Sequence, residues 1–403
     1  MASLHRQGCH DKVFTEVFRS VPGDSLNACS TDPQSLEGTP ELDDEFYMRD
    51  ALRLARKGLG WVSPNPMVGA LIVRGGTIIG QGYHRRFGGP HAEVNALRHL
   101  TGDLKRATLY VTLEPCCHFG KTPPCVALII EKQIGHVVVG TIDPNPLVAG
   151  KGVKALGDHG IRVRVGVLEK ECRELNEVYF KYHEKGIPFI TLKIAQSFDG
   201  RIATASGNSQ WISSPDSLKL AHRWRAIHDG IMVGINTVLS DDPSLTVRLA
   251  KGKNPHRLIL DSRLRIPLES KVLSDGKASQ TLVLTTNRAS PDRIQKIQGL
   301  GAGVIVVTAN PQKQVDLGEA LRILANEGLT SILVEGGAGL TTSFLQARLV
   351  DKLLVVIGPK IIGKGIEAVG DLSISDINQA IRLSVEKTER VGEDLVFTAK
   401  LHS

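Results

Sequence analysis

The chain reads as an α/β protein of two or three layered domains, each with its own core. Short apolar runs of strand length alternate with amphipathic runs of helix length. The alternation occurs twice, once before about residue 165 and once after Pro188, and a charge-rich stretch lies between. A length of 403 residues with 41% hydrophobic content is enough to bury more than one core.

Residues 1–43 show no sustained apolar period and carry Ser, Asp, Gly and Pro, so a loosely ordered extension is expected there. Asp43-Asp44-Glu45 opens a helix running to about Lys57, with acids at its positive end and Gly58 and Gly60 beyond it. Strands are predicted at 67–73, 77–80, 109–113 and 136–140. Helices are predicted at 92–99 and 126–132, giving a mixed sheet. The charged stretch 165–187 ends in Lys185-Gly186-Ile187-Pro188. A second series of strands is predicted at 189–195, 230–234, 257–261, 281–285, 303–308, 331–335, 352–357 and 395–400. We divide the chain into an extension (1–43), a first domain (44–168), a connector (169–187) and a second domain (188–403).

Composition excludes several function classes. No apolar run reaches the ~18–20 residues that span a bilayer, and the N-terminal stretch has neither an apolar signal core nor the acid-free pattern of a transit peptide. The net charge of +7 suits a solvated basic surface and phosphorylated ligands. Aromatics make up 4% and do not interleave with basic blocks, which argues against nucleic acid. Cys116, Cys117 and Cys125 lie close together, whereas Cys9, Cys29 and Cys172 are scattered. That pattern indicates a metal site and a reducing, cytoplasmic compartment.

His91-Ala92-Glu93, then Pro115-Cys116-Cys117 and Cys125, carry the chemistry of the first domain. One imidazole and two thiolates leave a tetrahedral zinc ion one open position, as catalytic sites do. His91 and Cys125 fall where the two predicted helices begin, and the positive helix end favours thiolate. Glu93 is free to move protons. Cys117 cannot easily turn onto the same ion as its neighbour. Zinc deaminases of nucleobases carry H-x-E and P-C-x-x-C. The first half matches, but eight residues separate Cys116 from Cys125.

In the second domain, Val334-Glu335-Gly336-Gly337-Ala338-Gly339 follows an apolar strand and precedes Leu340-Thr341-Thr342-Ser343. Glycines at such a turn let backbone N–H groups approach a phosphate. Alone, the turn is equally a tight turn; it is not a G-x-G-x-x-G fingerprint.

Longer motifs break this ambiguity. Ser63-Pro-Asn-Pro-Met-Val-Gly69, Glu114-Pro-Cys-Cys-His-Phe-Gly-Lys-Thr-Pro-Pro-Cys125 and Asp143-Pro-Asn-Pro-Leu-Val-Ala-Gly150 resemble the deaminase half of the bifunctional riboflavin-biosynthesis deaminase/reductases. Leu192-Lys-Ile-Ala-Gln-Ser-Phe-Asp-Gly200, Ser209-Gln-Trp211 and Thr237-Val-Leu-Ser-Asp-Asp-Pro-Ser-Leu-Thr-Val-Arg248 resemble the reductase half. The resemblance covers about residues 44–400. It implies a cytidine-deaminase-like zinc domain followed by a dihydrofolate-reductase-like domain that uses NADPH.

Further roles follow from motif position. Asn65, His84, His118, Lys121, Asp143 and Asn145 are expected around the deaminase substrate, with Lys121 as a point charge for its phosphate. For His84 and His118 an ordinary surface histidine is the rival reading. Ala195, Trp211, Thr237, Asp241, Ser262 and the turn Gly337, Ala338, Gly339, Leu340, Thr341, Thr342, Ser343 fall on the cofactor side. Ser209, Arg225, Leu245, Arg248 and Glu335 fall on the substrate side of the reductase. Lys193 and Glu335 are placed at the reacting ribose, and Arg225 and Arg248 suit a bidentate grip on the sugar phosphate.

The implied substrate is a small phosphorylated pyrimidine, deaminated and then reduced at its ribosyl group, in a homo-oligomeric enzyme. Two rivals stand beside this reading: a nucleoside or nucleic-acid zinc deaminase with an unrelated C-terminal domain, and a non-catalytic zinc-stabilised binding module.

Overall fold

In the computed structural model, which describes residues 40–120 and 123–401, the chain begins with helix α1 (Pro40–Ala55) packed on a five-stranded sheet. The expected extension over 1–43 lies almost wholly outside the described residues, as does Lys121. The sheet comprises β1 (Gly69–Arg74), β2 (Thr77–Tyr83), β3 (Thr108–Val111), β4 (His136–Val139) and β5 (Arg162–Val165) in the order β2-β1-β3-β4-β5. β1 is antiparallel to β2 and β3, while β3, β4 and β5 are parallel, so the sheet is mixed.

Strand alternation sorts the side chains onto two faces. Ala70, Ile72, Leu109, Val111, Val137 and Val139 pack against α2 (Ala92–Leu97), α3 (Cys125–Glu131) and α4 (Lys151–Asp158). Leu71, Val73, Tyr110 and Val138 pack against Met48 and Ala51 of α1 on the other face. Asp44 does more than complement the dipole of α1. It accepts hydrogen bonds from Tyr110 (2.7 Å) and Arg164 (2.8 Å), tying the helix to two strands. Gly82 is required by close approach: a Cβ there would lie 2.4 Å from the Ala92 carbonyl oxygen. That contact seats the start of α2 on β2.

Residues 169–187, read as a connector, form α5 (Glu169–Leu175) and α6 (Glu177–Lys185). Cys172 of α5 is fully buried on the α1 face of the first sheet. α5 is therefore built into the first half, and α6 packs Tyr179 and Phe180 against Leu113 while its Glu177 and Lys181 pair with Lys352 and Asp351 of the second half. Neither α4 nor β5 was predicted. α4 carries two glycines, and β5 is a four-residue edge strand alternating Arg and Val.

The second half is a nine-stranded sheet in the order β11-β10-β9-β8-β12-β6-β13-β16-β15. In chain order the elements are β6 (Phe189–Ser197), β7 (Arg201–Thr204), α7 (Pro215–Ile227), β8 (Gly230–Gly234), α8 (Ile235–Asp241), β9 (His256–Leu260), α9 (Lys271–Ser274), β10 (Thr281–Thr285), α10 (Pro291–Gly299), β11 (Gly303–Val306), α11 (Leu317–Asn326), β12 (Ser331–Val334), α12 (Ala338–Gln346), β13 (Lys352–Gly358), β14 (Gly365–Glu367), β15 (Leu383–Val391) and β16 (Asp394–Leu401). From β11 to β13 every neighbouring pair is parallel; β16 and β15 add an antiparallel hairpin at the edge. β7 and β14 pair separately.

Each predicted strand of this half is present to within a few residues. β7, β14 and β15 were missed because they are short or, in β15, mostly exposed and polar. After β11 the chain returns to insert β12 between β8 and β6. In parallel α/β sheets such a reversal opens a crevice at the carboxyl ends of the strands. Ala195, Gly234, Ser262 and Glu335 all stand at those ends and all line one cleft.

Candidate active sites

Three elements meet at the first site. His91 is the N-cap of α2, Cys125 is the first residue of α3, and Cys116 lies on the segment leaving β3. His91 Nδ1 is 3.4 Å from Cys116 Sγ and 3.3 Å from Cys125 Sγ, and the three donor atoms lie within 4.8 Å of one another. A tetrahedral zinc ion with Zn–S near 2.3 Å and Zn–N near 2.0 Å sets N···S edges of ~3.5 Å. The donor set therefore fits zinc, with His91, Cys116 and Cys125 as its holders. The Cys125 thiol, together with His91, pulls Cys116 down to about 4. Cys117 points elsewhere, its thiol toward the Leu147 carbonyl at 3.8 Å.

Glu93 is 3% exposed and faces the same cavity, of about 210 Å³. Burial, with the neighbouring Cys116, pushes its carboxyl up to about 7. Asn65, His84, His118, Asp143 and Asn145 also line this cavity. His84 is not a surface histidine: it is 2% exposed, and burial lowers its pKa. Its Nδ1 meets the Pro90 carbonyl at 3.1 Å, so Nδ1 donates and Nε2 accepts from the Asn65 amide at 3.2 Å. Asn65 is thereby fixed with its amide oxygen left for other contacts. His118 Nδ1 is buried and has no partner among the described residues.

Two residues of this site escaped the sequence reading. Glu114 is buried, and its carboxylate accepts from the backbone N–H groups of Asp143 (3.2 Å), Gly150 (2.8 Å), Gly152 (2.9 Å) and Val153 (3.1 Å). Tyr179, from the charged stretch, reaches into the cavity and donates to Asp143 Oδ1 at 3.1 Å. Burial raises Asp143 to about 6 even so. Glu114 stands inside a quoted motif, so proximity could have flagged it; nothing local marks Tyr179.

The second site is an open cleft of about 1560 Å³. Lys193 and Ala195 project from one face of β6, and Glu335 follows β12 directly. Lys193 Nζ lies 3.8 Å from Glu335 Oε2. Arg225 departs from expectation. Its Nε and one terminal nitrogen donate to the two oxygens of Glu335 at 2.8 and 2.9 Å, and the other reaches the Thr246 carbonyl at 3.4 Å. Its fork is filled from within, and it lines the cleft as the partner of Glu335. Burial alone would raise Glu335, but Arg225 and Lys193 outweigh it and hold the carboxyl at about 2. Glu335 is thus a fixed anion that orients Lys193.

Both side chains of the Arg225–Glu335 pair are about nine-tenths buried. Replacing Arg225 with Met should destabilise the protein by about 3–5 kcal/mol, because it strands a buried carboxylate; urea unfolding measures this. In the parent protein the pair's contribution is full above the free carboxyl range. It is lost as pH falls through the depressed folded value of about 2.

Arg248 also lines the cleft. One guanidinium nitrogen donates to Thr246 Oγ1 at 2.9 Å, and its backbone N–H goes to His222 Nδ1 at 3.1 Å. His222 is a buried cleft residue not foreseen. Burial, with Arg225 and Arg248 nearby, lowers it to about 4 and keeps it neutral. Ser209, Trp211, Leu245, Thr237, Asp241 and Ser262 all line the cleft.

Gly337 caps the N-terminus of α12, and a Cβ on Gly337 or Gly339 would meet nothing within 4 Å. Ala338, Leu340, Thr341 and Ser343 share that lining. Thr342 does not. Its hydroxyl donates to the Ala338 carbonyl and accepts from the Gly370 N–H, both at 2.7 Å, so it braces the helix from behind. Arg263, Arg265, Arg288 and Lys313 line another part of the cleft and were not predicted.

Comparison with known proteins accounts for both sites. Residues 42–141 match the cytidine and deoxycytidylate deaminase zinc-binding region, and residues 188–397 match the RibD C-terminal domain. The riboflavin biosynthesis protein RibD of Aquifex aeolicus is 46% identical over 358 residues, 89% of this chain and 98% of that protein. The chain belongs to the RibD family. RibD of Actinobacillus pleuropneumoniae is 42% identical, over 88% of this chain and 94% of its own.

The solved structure of Acinetobacter baumannii RibD superposes with a TM-score of 0.81 at 36% identity, covering 90% of this chain and all of that one. A Thermotoga maritima deaminase/reductase gives 0.76 at 37% identity, covering 90% and 99%. RibD-family membership makes the chain a bifunctional deaminase and reductase. It removes the rival of a deaminase with an unrelated C-terminal domain, and that of a non-catalytic module. No helix among the described residues is long and apolar enough to cross a membrane.

Proposed function

We propose that the chain carries out two consecutive steps of riboflavin synthesis. The first is hydrolytic deamination of 2,5-diamino-6-ribosylamino-4(3H)-pyrimidinone 5′-phosphate. The second is reduction of the ribosyl group by NADPH, giving 5-amino-6-(5-phosphoribitylamino)uracil. The observation that carries the reading is Glu93: a buried carboxyl facing the cavity of a three-donor set to which it does not itself belong. Such a group has no structural use and suits proton transfer.

In the deaminase half, zinc held by His91, Cys116 and Cys125 would supply the Lewis acidity that makes water nucleophilic at neutral pH. Glu93 takes one proton of the attacking water and gives it to the ring nitrogen; it then carries the second, from the hydroxyl newly bonded to carbon, to the amine, which leaves as ammonia when its C–N bond breaks. Asn65, braced by His84, faces the pyrimidine ring. Asp143, Asn145 and the unpartnered His118 nitrogen meet its polar edge, and Lys121 meets the phosphate.

In the reductase half, NADPH supplies the hydride gained by C1′. As the C1′–O4′ bond breaks, O4′ needs a proton; Glu335 stays anionic, so Lys193 gives it. Arg248 holds the substrate phosphate. The N-terminus of α12 and the cluster Arg263, Arg265 and Arg288 meet the cofactor phosphates, and the extra charge supports NADPH over NADH.

We take residues 44–168 as the deaminase, 169–187 as a helical bridge and 188–403 as the reductase of a cytoplasmic homo-oligomer. The test is the diamino substrate with and without NADPH, following ammonia and NADPH absorbance together. Ammonia should appear in both, and NADPH should be consumed only once deaminated product is present. Absence of ammonia from the zinc-loaded protein would overturn the reading.

Gly337→Val tests the cofactor side. The open space around Gly337 lets the variant fold. It should weaken NADPH binding on the order of tenfold, about 1.4 kcal/mol, with turnover at saturation little changed. Fluorescence titration and steady-state rates separate the two. Lys193→Ala should do the opposite.

A further inference from the structure

The connector helix touches both halves of the enzyme. Asn176, which precedes α6, pairs with the backbone of Met67: its Nδ2 donates to the Met67 carbonyl at 2.9 Å and its Oδ1 accepts the Met67 N–H at 2.8 Å. Met67 lies two residues from Asn65. Three residues on, Tyr179 is 8% exposed and donates to both oxygens of Asp143, at 3.1 and 3.4 Å. Its ring is set edge-on to His183, with centroids 4.4 Å apart. One end of this segment therefore braces both loops that face the deaminase substrate.

The other face of α6 is fastened to the reductase. Two residues along a helix lie ~200° apart, so Glu177 and Tyr179 point to opposite sides. Glu177 pairs with Lys352 of β13 and with Lys400 of β16 at 3.2 Å. Lys181, one turn on, pairs with Asp351, which also accepts the Ile190 N–H at 2.7 Å. Tyr182 donates to the Ala325 carbonyl in α11 at 3.1 Å. These partners belong to the reductase sheet, to the residue just before β13 or to a helix packed on the sheet, and none of them lines the reductase cleft.

We propose that α6 is a brace through which the reductase half holds the deaminase cavity in shape, with Tyr179 as the positioning residue for Asp143. Without its hydroxyl the Asp143 carboxylate loses a charge-assisted donor and can turn away from the substrate. Without the Glu177 and Lys181 contacts the helix loses its footing, and Tyr179 and Asn176 shift together. The deaminase is then a half-domain whose binding wall is completed from the bridge and supported by its neighbour.

This inference rests on the deaminase reading of the first cavity. The test uses the full-length, zinc-loaded protein and four forms: parent, Tyr179→Phe, Lys181→Met and Lys181→Arg. The expected result for Tyr179→Phe is a deaminase KM raised roughly tenfold, the scale of one hydrogen bond to a charged group, with kcat changed little. Lys181→Met should raise the same KM by a few-fold, and Lys181→Arg should restore it. The reductase constants should stay at parent values throughout.

An unchanged deaminase KM in Tyr179→Phe overturns the positioning role. An unchanged KM in Lys181→Met overturns the support from the reductase half. Parallel loss of both activities with a lowered melting temperature would make α6 a structural helix only, and also overturns the proposal. If the parent protein releases no ammonia, the deaminase reading itself has failed.

Discussion

Glu93→Gln is expected to keep zinc and lose ammonia release. The amide is nearly isosteric and remains in the buried position of the acid, so the cavity is preserved. It cannot take a proton from water or hand one to a nitrogen. General acid–base catalysis contributes typically ~10²–10⁴-fold, and a loss in that range is expected in kcat. Reduction of pre-deaminated substrate should continue at the parent rate, because Lys193 and Glu335 stand on a different sheet. Near-normal ammonia release would remove Glu93 from the mechanism.

Cys125→Ser should have an effect of similar size by another route. Cys125 Sγ is 3.3 Å from His91 Nδ1 and its backbone N–H points at Cys116 Sγ from the same distance. Cys125 thus provides one donor and helps hold another as thiolate. A serine hydroxyl is a poor zinc ligand at neutral pH, so metal content should fall from about one per chain toward none. Ammonia release should fall with it. Cys117→Ser should keep its zinc, since that thiol faces the Leu147 carbonyl. Elemental analysis of the two purified variants decides the matter, and full zinc in Cys125→Ser would sink the ligand assignment.

The parts of the site that were legible in the sequence are those whose partners are close along the chain. His91 and Glu93 occupy one helix turn, and Cys116 and Cys125 sit in one motif, so residue type and spacing were informative. The buried strands of both sheets were legible because they carry dense Val, Ile and Leu, whereas the exposed edge strands β5 and β15 do not. Tyr179 was not legible, because its partner Asp143 is 36 residues away and the stretch that holds it is rich in charge.

Arg225 was read without its partner for a related reason. Its carboxylate partner, Glu335, is 110 residues distant, so the sequence showed a cation near phosphate-binding motifs and not the anion that occupies it. Thr342 belongs to a run expected on the cofactor side, but helical periodicity turns it out of the cleft that Thr341 and Ser343 line. The helices α5 and α6 were hidden by charge. Their buried residues are few, and one of them, Cys172, counted in the composition only as a stray thiol.

Glu114 has a consequence for how substrate is received. Between β4 and α4 the chain makes no regular structure, yet this segment carries Asp143 and Asn145. One buried carboxylate collects two of its amide hydrogens, from Asp143 and Gly150, and two more from Gly152 and Val153 in the first turn of α4. Confining a backbone residue costs ~1–2 kcal/mol of entropy, and here that cost is met when the polypeptide folds. The loop is preorganised: it arrives already shaped, and a molecule entering the cavity that it lines need not freeze it. A small pocket can then bind through few contacts, with little of their free energy diverted into ordering the receptor.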